Sequence, residues 1–148
     1  MRAVVQRVTA ARVEVAGQLV GDIGHGLVAF VAVGKGDGEA QARYLVDKII
    51  ELRIFEDEQG KMNRALADVG GGLLLVSQFT LYGDTSRGRR PGFDGAMPPA
   101  EAEPLYERVV AMARERHPTV ETGRFRADMR VLVDNDGPVT LLLESPIA

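Results

Sequence analysis

Two short segments of the 148-residue chain carry the residue types from which a reactive site is built. Ser77-Gln78-Phe79-Thr80-Leu81 follows the apolar run Leu73-Leu74-Leu75-Val76 and sets three polar side chains at a strand end. A buried polar atom left unpaired costs about 1–3 kcal/mol, so these groups need partners. Two readings stand: the side chains satisfy the strand end locally, or they floor a pocket that presents a hydroxyl and strand-end N–H groups. In the second segment, Asn135-Asp136-Gly137-Pro138-Val139-Thr140, Asp-Gly lies between alternating residues as in a hairpin turn. Pro138 removes a ladder donor at the start of the next strand and admits a cis peptide more readily than other residues do. With no Cβ on Gly137, a ligand can come close to its carbonyl oxygen. Pattern by itself favours the plain turn.

Other chemistries fail on inventory or spacing. The chain has no Cys and only two His, His25 and His117. That excludes thiolate nucleophiles, disulfides, iron–sulfur centres and Cys-based zinc sites, and leaves a poor set of metal ligands. Neither Ser77, Ser86 nor Ser145 sits in a nucleophile elbow, and a triad would have to recruit His25 from a Gly-rich turn or His117 from a helix end. Gly34-Lys35-Gly36-Asp37-Gly38 joins a strand to a helix but lacks dinucleotide and Walker spacing. Asp128, Asp134 and Asp136 do not fit an EF-hand loop and lie where hairpin turns place Asp. No metal and no cofactor are expected.

The elements that must position these segments follow from periodicity. Residues 3–8 and 12–16 alternate with period two, a third run covers 18–23, and Leu27–Val33 reads as a buried central strand, for three or four antiparallel strands. Asp37 is placed to cap a helix over 38–52, with Ala42, Leu45, Val46, Ile49 and Ile50 on its apolar face. Arg53-Ile54-Phe55 reads as a short strand and Leu73–Ser77 as an apolar one. The Gly-, Pro- and Arg-rich stretch 84–99 is long enough to be a functional loop. A second helix runs from Pro99 or Pro104 to Arg116, with Leu105, Tyr106, Val109 and Met112 at helical spacing, and His117-Pro118 ends it. Residues 129–133 and 139–143 read as the arms of a hairpin about Asn135–Pro138. The expected fold is therefore α/β: one domain over 1–148, largely antiparallel β-sheet, barrel-like, with two main helices packed on one face.

Composition adds limits. At 45% apolar and 26% charged the chain is an ordinary soluble globule, and its Arg-interrupted start does not read as a signal peptide. No apolar run reaches the roughly 18 residues needed to span a bilayer, so no membrane association is expected and a cytoplasmic location follows. The net charge of −3 argues against a broad nucleic-acid coat and against DNA as a partner, but leaves room for a small footprint.

Taken together, these segments resemble the D-aminoacyl-tRNA deacylases, trans-editing enzymes that free tRNA from D-amino acids. The resemblance covers essentially the whole chain: Gln6-Arg7-Val8, Lys61-Met62-Asn63, Ser77-Gln78-Phe79-Thr80-Leu81, Arg87-Gly88-Arg89-Arg90-Pro91, Thr122-Gly123-Arg124-Phe125, Ala127-Asp128-Met129 and Asn135-Asp136-Gly137-Pro138-Val139-Thr140. One departure is Gly92, where Ser commonly follows the Arg-Pro step.

The resemblance implies a homodimer in which Gly137-Pro138 is cis and enters the active site of the other subunit. Carbonyl oxygens of that pair would capture the amino-acid end and exclude an L side chain, while a glycyl ester would slip through. Arg7 is expected to brace the Gly-Pro loop, with Asn135 supporting it. Backbone N–H groups around Phe79-Thr80 would stabilise the oxyanion, and the 2′-hydroxyl of the terminal tRNA adenosine would assist hydrolysis. Ser77 and Gln78 are implied supports, and Phe79 and Met129 apolar packing beside the adenosine. Arg87, Arg89 and Arg90 are candidates for phosphate contacts at the aminoacylated 3′ end of tRNA. Two alternatives stay open: an esterase with Thr80 as nucleophile, and a module that binds aminoacyl-tRNA ends without cleaving them.

Overall fold

Alternation over residues 2–15 produces one strand: β1 runs Arg2–Val15 where two strands are expected. In this computed structural model, which describes residues 1–147, β1 is followed by β2 (Gln18–Ile23), β3 (Gly26–Ala32), α1 (Glu39–Glu51) and the short β4 (Phe55–Glu56) and β5 (Met62–Arg64). Then come β6 (Gly72–Ser77), a 3₁₀ turn (Phe79–Tyr82), α2 (Pro99–Arg116), β7 (Val120–Thr122) and β8 (Arg130–Glu144). Ala148, the last residue of the expected domain, lies outside the described residues.

The sheet is built around β1. Its first half pairs with β3, its second half with β2, and its whole length with β8, all antiparallel. On the far side of β3 the pairing turns parallel, to β6 and then β7. The sheet curls so far that β2 meets β7. A Cβ on Gly21 would lie 2.4 Å from the Thr122 carbonyl oxygen, a contact only glycine permits. The largely antiparallel, barrel-like sheet is thus as expected, with a parallel β3–β6–β7 portion that alternation does not reveal.

Both helices lie on one face, over a core that includes Val5, Leu27, Ala29, Leu73 and Leu75 from the sheet, Leu45 and Ile49 from α1, and Val109 and Met112 from α2. The opposite face buries a second cluster containing Val8, Ala11, Val13, Val28, Leu74 and Val76. β1 serves both. Val8 pairs with Asn135 and Ala10 with Asp134, so Thr9 is an extra residue and the inward parity of β1 changes there.

Three local expectations are corrected. The predicted hairpin at 129–143 is one strand, β8, because β1 is long enough to pair with both of its arms: Val131 opposes Val13 and Leu143 opposes Ala3. The predicted turn is a bulge in it. The short strand expected at 53–55 is displaced to Phe55–Glu56, where the partner strand Met62–Arg64 supplies its hydrogen bonds. Asp37 does not cap α1. Its carboxylate accepts the Gly34 N–H (2.7 Å) and pairs with the Met1 ammonium (2.8 Å), while the Gln41 side chain accepts the Gly38 N–H at the helix start.

Candidate active site

The carboxyl ends of parallel strands are where open sheets leave a crevice, because the chain leaves each strand in a different direction. Here β3, β6 and β7 end side by side. Their exits bound a cleft of about 580 Å³. Val31 of β3 and Val33 just beyond it line one side, Ser77 of β6 with Gln78 and Phe79 at its exit another, and Phe125 to Met129 a third from the segment after β7. Ala102 and Tyr106 of α2, Val131 of β8 and the 93–99 stretch close the remaining sides.

The β6 exit is held from several directions. The Gln78 N–H donates to the Val31 carbonyl (2.7 Å), and the chain then tightens into the 3₁₀ turn, where Leu81 N–H bonds Gln78 O. The first donors of such a turn, the N–H groups of Phe79 and Thr80, have no acceptor inside it. At its far end Arg2 donates to the Leu81 carbonyl (3.1 Å) and lies over the Tyr82 ring, 4.5 Å from its centroid. Burial, and secondarily the nearby Asp37 carboxylate, pushes the Tyr82 hydroxyl up to about 12. On the α2 side the Leu75 carbonyl accepts both the Tyr106 hydroxyl (3.1 Å) and the Gly123 N–H (3.0 Å), which locks β6, α2 and the β7 exit together. Burial drives the Tyr106 hydroxyl far above the usual phenol range, so it stays a donor.

Ser77 and Gln78 are half-buried and Thr80 is exposed. The Gln78 side-chain amide donates to the Thr80 hydroxyl at 2.5 Å, which pairs those two groups locally, while Ser77 and Gln78 border the cleft. Phe79 is 58% exposed and meets Phe93 edge-on, centroids 5.3 Å apart, an aromatic pair at the cleft. Met129 borders it as well.

Neither His can serve this cleft. His25 packs edge-on against Phe55, and His117 is buried with Nε2 2.7 Å from the Gly71 carbonyl oxygen. Both stand at the amino ends of β3 and β6, where Gly26 opposes Gly72, whereas the cleft is at Val31 and Ser77. Five residues at a strand rise of about 3.3 Å separate the two ends by about 16 Å. Among the described residues no three His, Asp or Glu side chains are grouped to hold a metal ion.

A second constellation forms on β8. Gln6 opposes Thr140 and Val8 opposes Asn135, so Asp136, Gly137, Pro138 and Val139 bulge out opposite the single residue Arg7. The Gly137–Pro138 peptide bond is cis. Asn135 staples the neck of the bulge, its side-chain amide donating to the carbonyls of Arg7 (3.0 Å) and Val139 (3.2 Å). Arg7 is buried beneath it, donating to the Ile54 carbonyl (2.8 Å) and pairing with Asp136 across 3.0 Å. That pair is a charge contact: the Arg7 Nε–H is not aimed at the carboxylate and has no aligned acceptor. The structure therefore gathers Arg7, Asn135, Gly137 and Pro138 in one place and Ser77, Gln78, Phe79 and Met129 in another. Within one chain the bulge is not part of the cleft wall.

Arg87, Arg89 and Arg90 are all exposed on a loop pinched by the Asp84–Gly92 bridge, and none of them lines the cleft. Most of the cleft lining is not legible as such in residue order, and two of its residues, Tyr106 and Arg126, bear on the site. Helical spacing gives Tyr106 only a core place, although a phenol hydroxyl in a core needs a hydrogen-bond partner. Arg126 has a backbone φ of 62°. This left-handed conformation costs a side-chain-bearing residue roughly 1–2 kcal/mol, and nothing in residue order announces it.

Comparison with known proteins agrees with this geometry. The family model described as D-Tyr-tRNA(Tyr) deacylase matches residues 4–144. A D-aminoacyl-tRNA deacylase of Sorangium cellulosum is 64% identical over 146 residues, 98% of this chain and 97% of that protein. One of Heliobacterium modesticaldum is 61% identical, covering 97% of this chain and 96% of its own length. Among solved structures, a c-Myc DNA unwinding element binding protein superposes with a TM-score of 0.94 at 40% identity over 99% of both chains. A probable eukaryotic D-amino acid tRNA deacylase shares the fold, with a TM-score of 0.83 at 17% identity over 96% of this chain and 97% of its own. A match running from the first strand to the end of β8 takes in the cleft and the bulge alike, and on that ground the chain belongs to the D-Tyr-tRNA(Tyr) deacylase family.

Proposed function

We propose that residues 1–148 form one cytoplasmic trans-editing unit that hydrolyses the ester between a D-amino acid and the 3′-terminal adenosine of tRNA, releasing D-amino acid and tRNA. The observation that carries this reading is the cleft at the strand ends, lined by Ser77, Gln78 and Phe79 and remote from both His, beside a 3₁₀ turn that leaves the N–H groups of Phe79 and Thr80 without an acceptor inside it. Ester hydrolysis there needs donors for the oxyanion, and preorganised N–H groups supply about 2.7–4 kcal/mol each. Water is the nucleophile, with the adenosine 2′-hydroxyl assisting. Thr80 is poorly suited to attack because its oxygen accepts from Gln78 and, among the described residues, both His stand at the other end of the sheet.

Chiral selection falls to Gly137 and Pro138 of a second copy. Support for a homodimer comes from the separation of cleft and bulge within one chain, and from β8 itself. That strand has 15 residues, pairs only with β1 among the described residues, and leaves Leu142 83% exposed. A long edge strand of this kind favours pairing with another chain. Backbone carbonyls of the bulge would take the amino group and occupy the volume an L side chain needs, leaving glycyl esters as substrates. Arg7 and Asn135 hold the bulge in shape.

The test is incubation of the purified chain with D- and L-aminoacyl-tRNA of the same amino acid, with sedimentation at the same concentration. Release of the D-amino acid alone by a dimer is the expected result. Equal release of both enantiomers removes the chiral role of the bulge, binding without release leaves a carrier of aminoacyl ends, and an active monomer removes the cross-subunit site.

A further inference from the structure

Arg126 and Asp128 are the only charged residues lining the cleft among the described residues. Arg126 sits in a turn closed by the Ala127 N–H on the Arg124 carbonyl (3.3 Å), at a left-handed φ of 62° where such turns ordinarily place Gly. Its neighbour Phe125 is held from below by the Tyr106 ring, centroids 5.7 Å apart, and Tyr106 is in turn tied to Leu75. The direction in which Arg126 leaves the backbone is thus set by a supported turn. Its guanidinium is exposed and, among the described residues, joins no ion pair or hydrogen bond, unlike Arg2, Arg7, Arg12, Arg64, Arg108 and Arg116.

The local charge favours an anion. Residues 124–130 carry Arg124, Arg126 and Arg130 against the single carboxylate of Asp128. Beside Arg126 the cleft offers Phe79, Phe93, Phe125 and Met129, surfaces suited to the face of a nucleobase. A free guanidinium at the rim of an aromatic-lined cleft fits the phosphate attached to such a base. Resting on the deacylase reading above, we infer that Arg126 binds the 5′-phosphate of the 3′-terminal nucleotide and so positions the ester, a role separate from that of Arg87, Arg89 and Arg90 on their loop.

Two measurements on the full chain test this. In the first, binding of adenosine 5′-monophosphate and of adenosine is compared by NMR titration for the unmodified chain, Arg126→Gly, Arg126→Ala and Arg126→Lys. In the second, the same four proteins hydrolyse 3′-D-aminoacyl-adenosine with and without a 5′-phosphate. The unmodified chain is expected to prefer the phosphorylated partner about tenfold, in affinity and in KM, with kcat little changed. Arg126→Gly, which accepts the left-handed turn, and Arg126→Ala lose that preference and keep their activity on the unphosphorylated ester; Arg126→Lys retains most of it. Equal losses on both esters, or a phosphate preference that survives in the Gly and Ala variants, overturn the assignment. A nucleotide preference abolished by Arg126→Gly without any ester cleavage upholds the phosphate contact and refutes the hydrolase reading instead.

Discussion

The side-chain amide of Gln78 donates to the hydroxyl of Thr80 at 2.5 Å, across the bend where β6 becomes a 3₁₀ turn. The Thr80 oxygen is thereby an acceptor for a neutral donor, and no base stands ready to take its proton. Thr80→Ala should keep turnover within about tenfold of the unmodified chain, the effect of losing one hydrogen bond in the turn. Rapid-quench mass spectrometry should find no acyl-protein; an acyl group on residue 80 would reinstate the nucleophile.

Gly137→Ala separates function from folding. A Cβ at this position meets only the Asn135 Oδ1, at 3.4 Å, which is ordinary contact. Stability by urea unfolding should stay within about 0.5 kcal/mol. Activity on D-aminoacyl-tRNA should fall at least tenfold, because the added methyl stands where the substrate is to approach.

Arg7→Ala should act through the fold of the bulge. The substitution strips the Ile54 carbonyl of its donor and leaves Asp136 without its counter-charge. A loss of about 1–3 kcal/mol is expected in equilibrium unfolding. Arg7→Lys restores only part of it, since one ammonium cannot reach both partners as the guanidinium fork does.

Alkaline pH should destabilise the protein through Tyr82. Burial raises its hydroxyl from 10.0 to about 12, so between those values the folded chain holds a proton that the unfolded chain releases. Stability from this group is complete below pH 10 and is lost as pH rises toward 12. Tyr82→Phe should flatten the decline of Tm across that window; an unchanged slope would assign it to other groups.

The loop arginines should give tRNA binding a shallow salt dependence. If Arg87, Arg89 and Arg90 each meet one phosphate at a single-stranded end, the log–log slope is about −2. A slope steeper than about −5 would require a far larger basic footprint.

Much of this molecule is legible in residue order. The helix faces follow from spacing: Ala42, Leu45, Val46, Ile49 and Ile50 of α1 and Tyr106, Val109 and Met112 of α2 are buried as their period predicts, with Leu105 half-buried. Ser77–Thr80 stands out because polar groups ending an apolar strand need partners, and Ser77, Gln78 and Phe79 line the cleft. Asn135–Pro138 stands out too, but as a plain turn rather than the bulge it forms. Local pattern cannot tell a chain reversal from a bulge, because both interrupt alternation with Asp, Gly and Pro. Only the presence of β1, long enough to pair with both arms of β8, decides between them.

The parallel set β3–β6–β7 shows the same limit. Alternation records which residues face inward and is blind to the direction of the neighbouring strand. The convergence of three strand ends on one cleft and the removal of both His to the other end of the sheet depend on that direction. By itself the sequence determined which residue types were available for chemistry: no thiol, few imidazoles, and polar groups at one strand end. The tertiary structure decided their company, because distances between segments remote along the chain are set by strand pairing and packing, which no short stretch of residues contains.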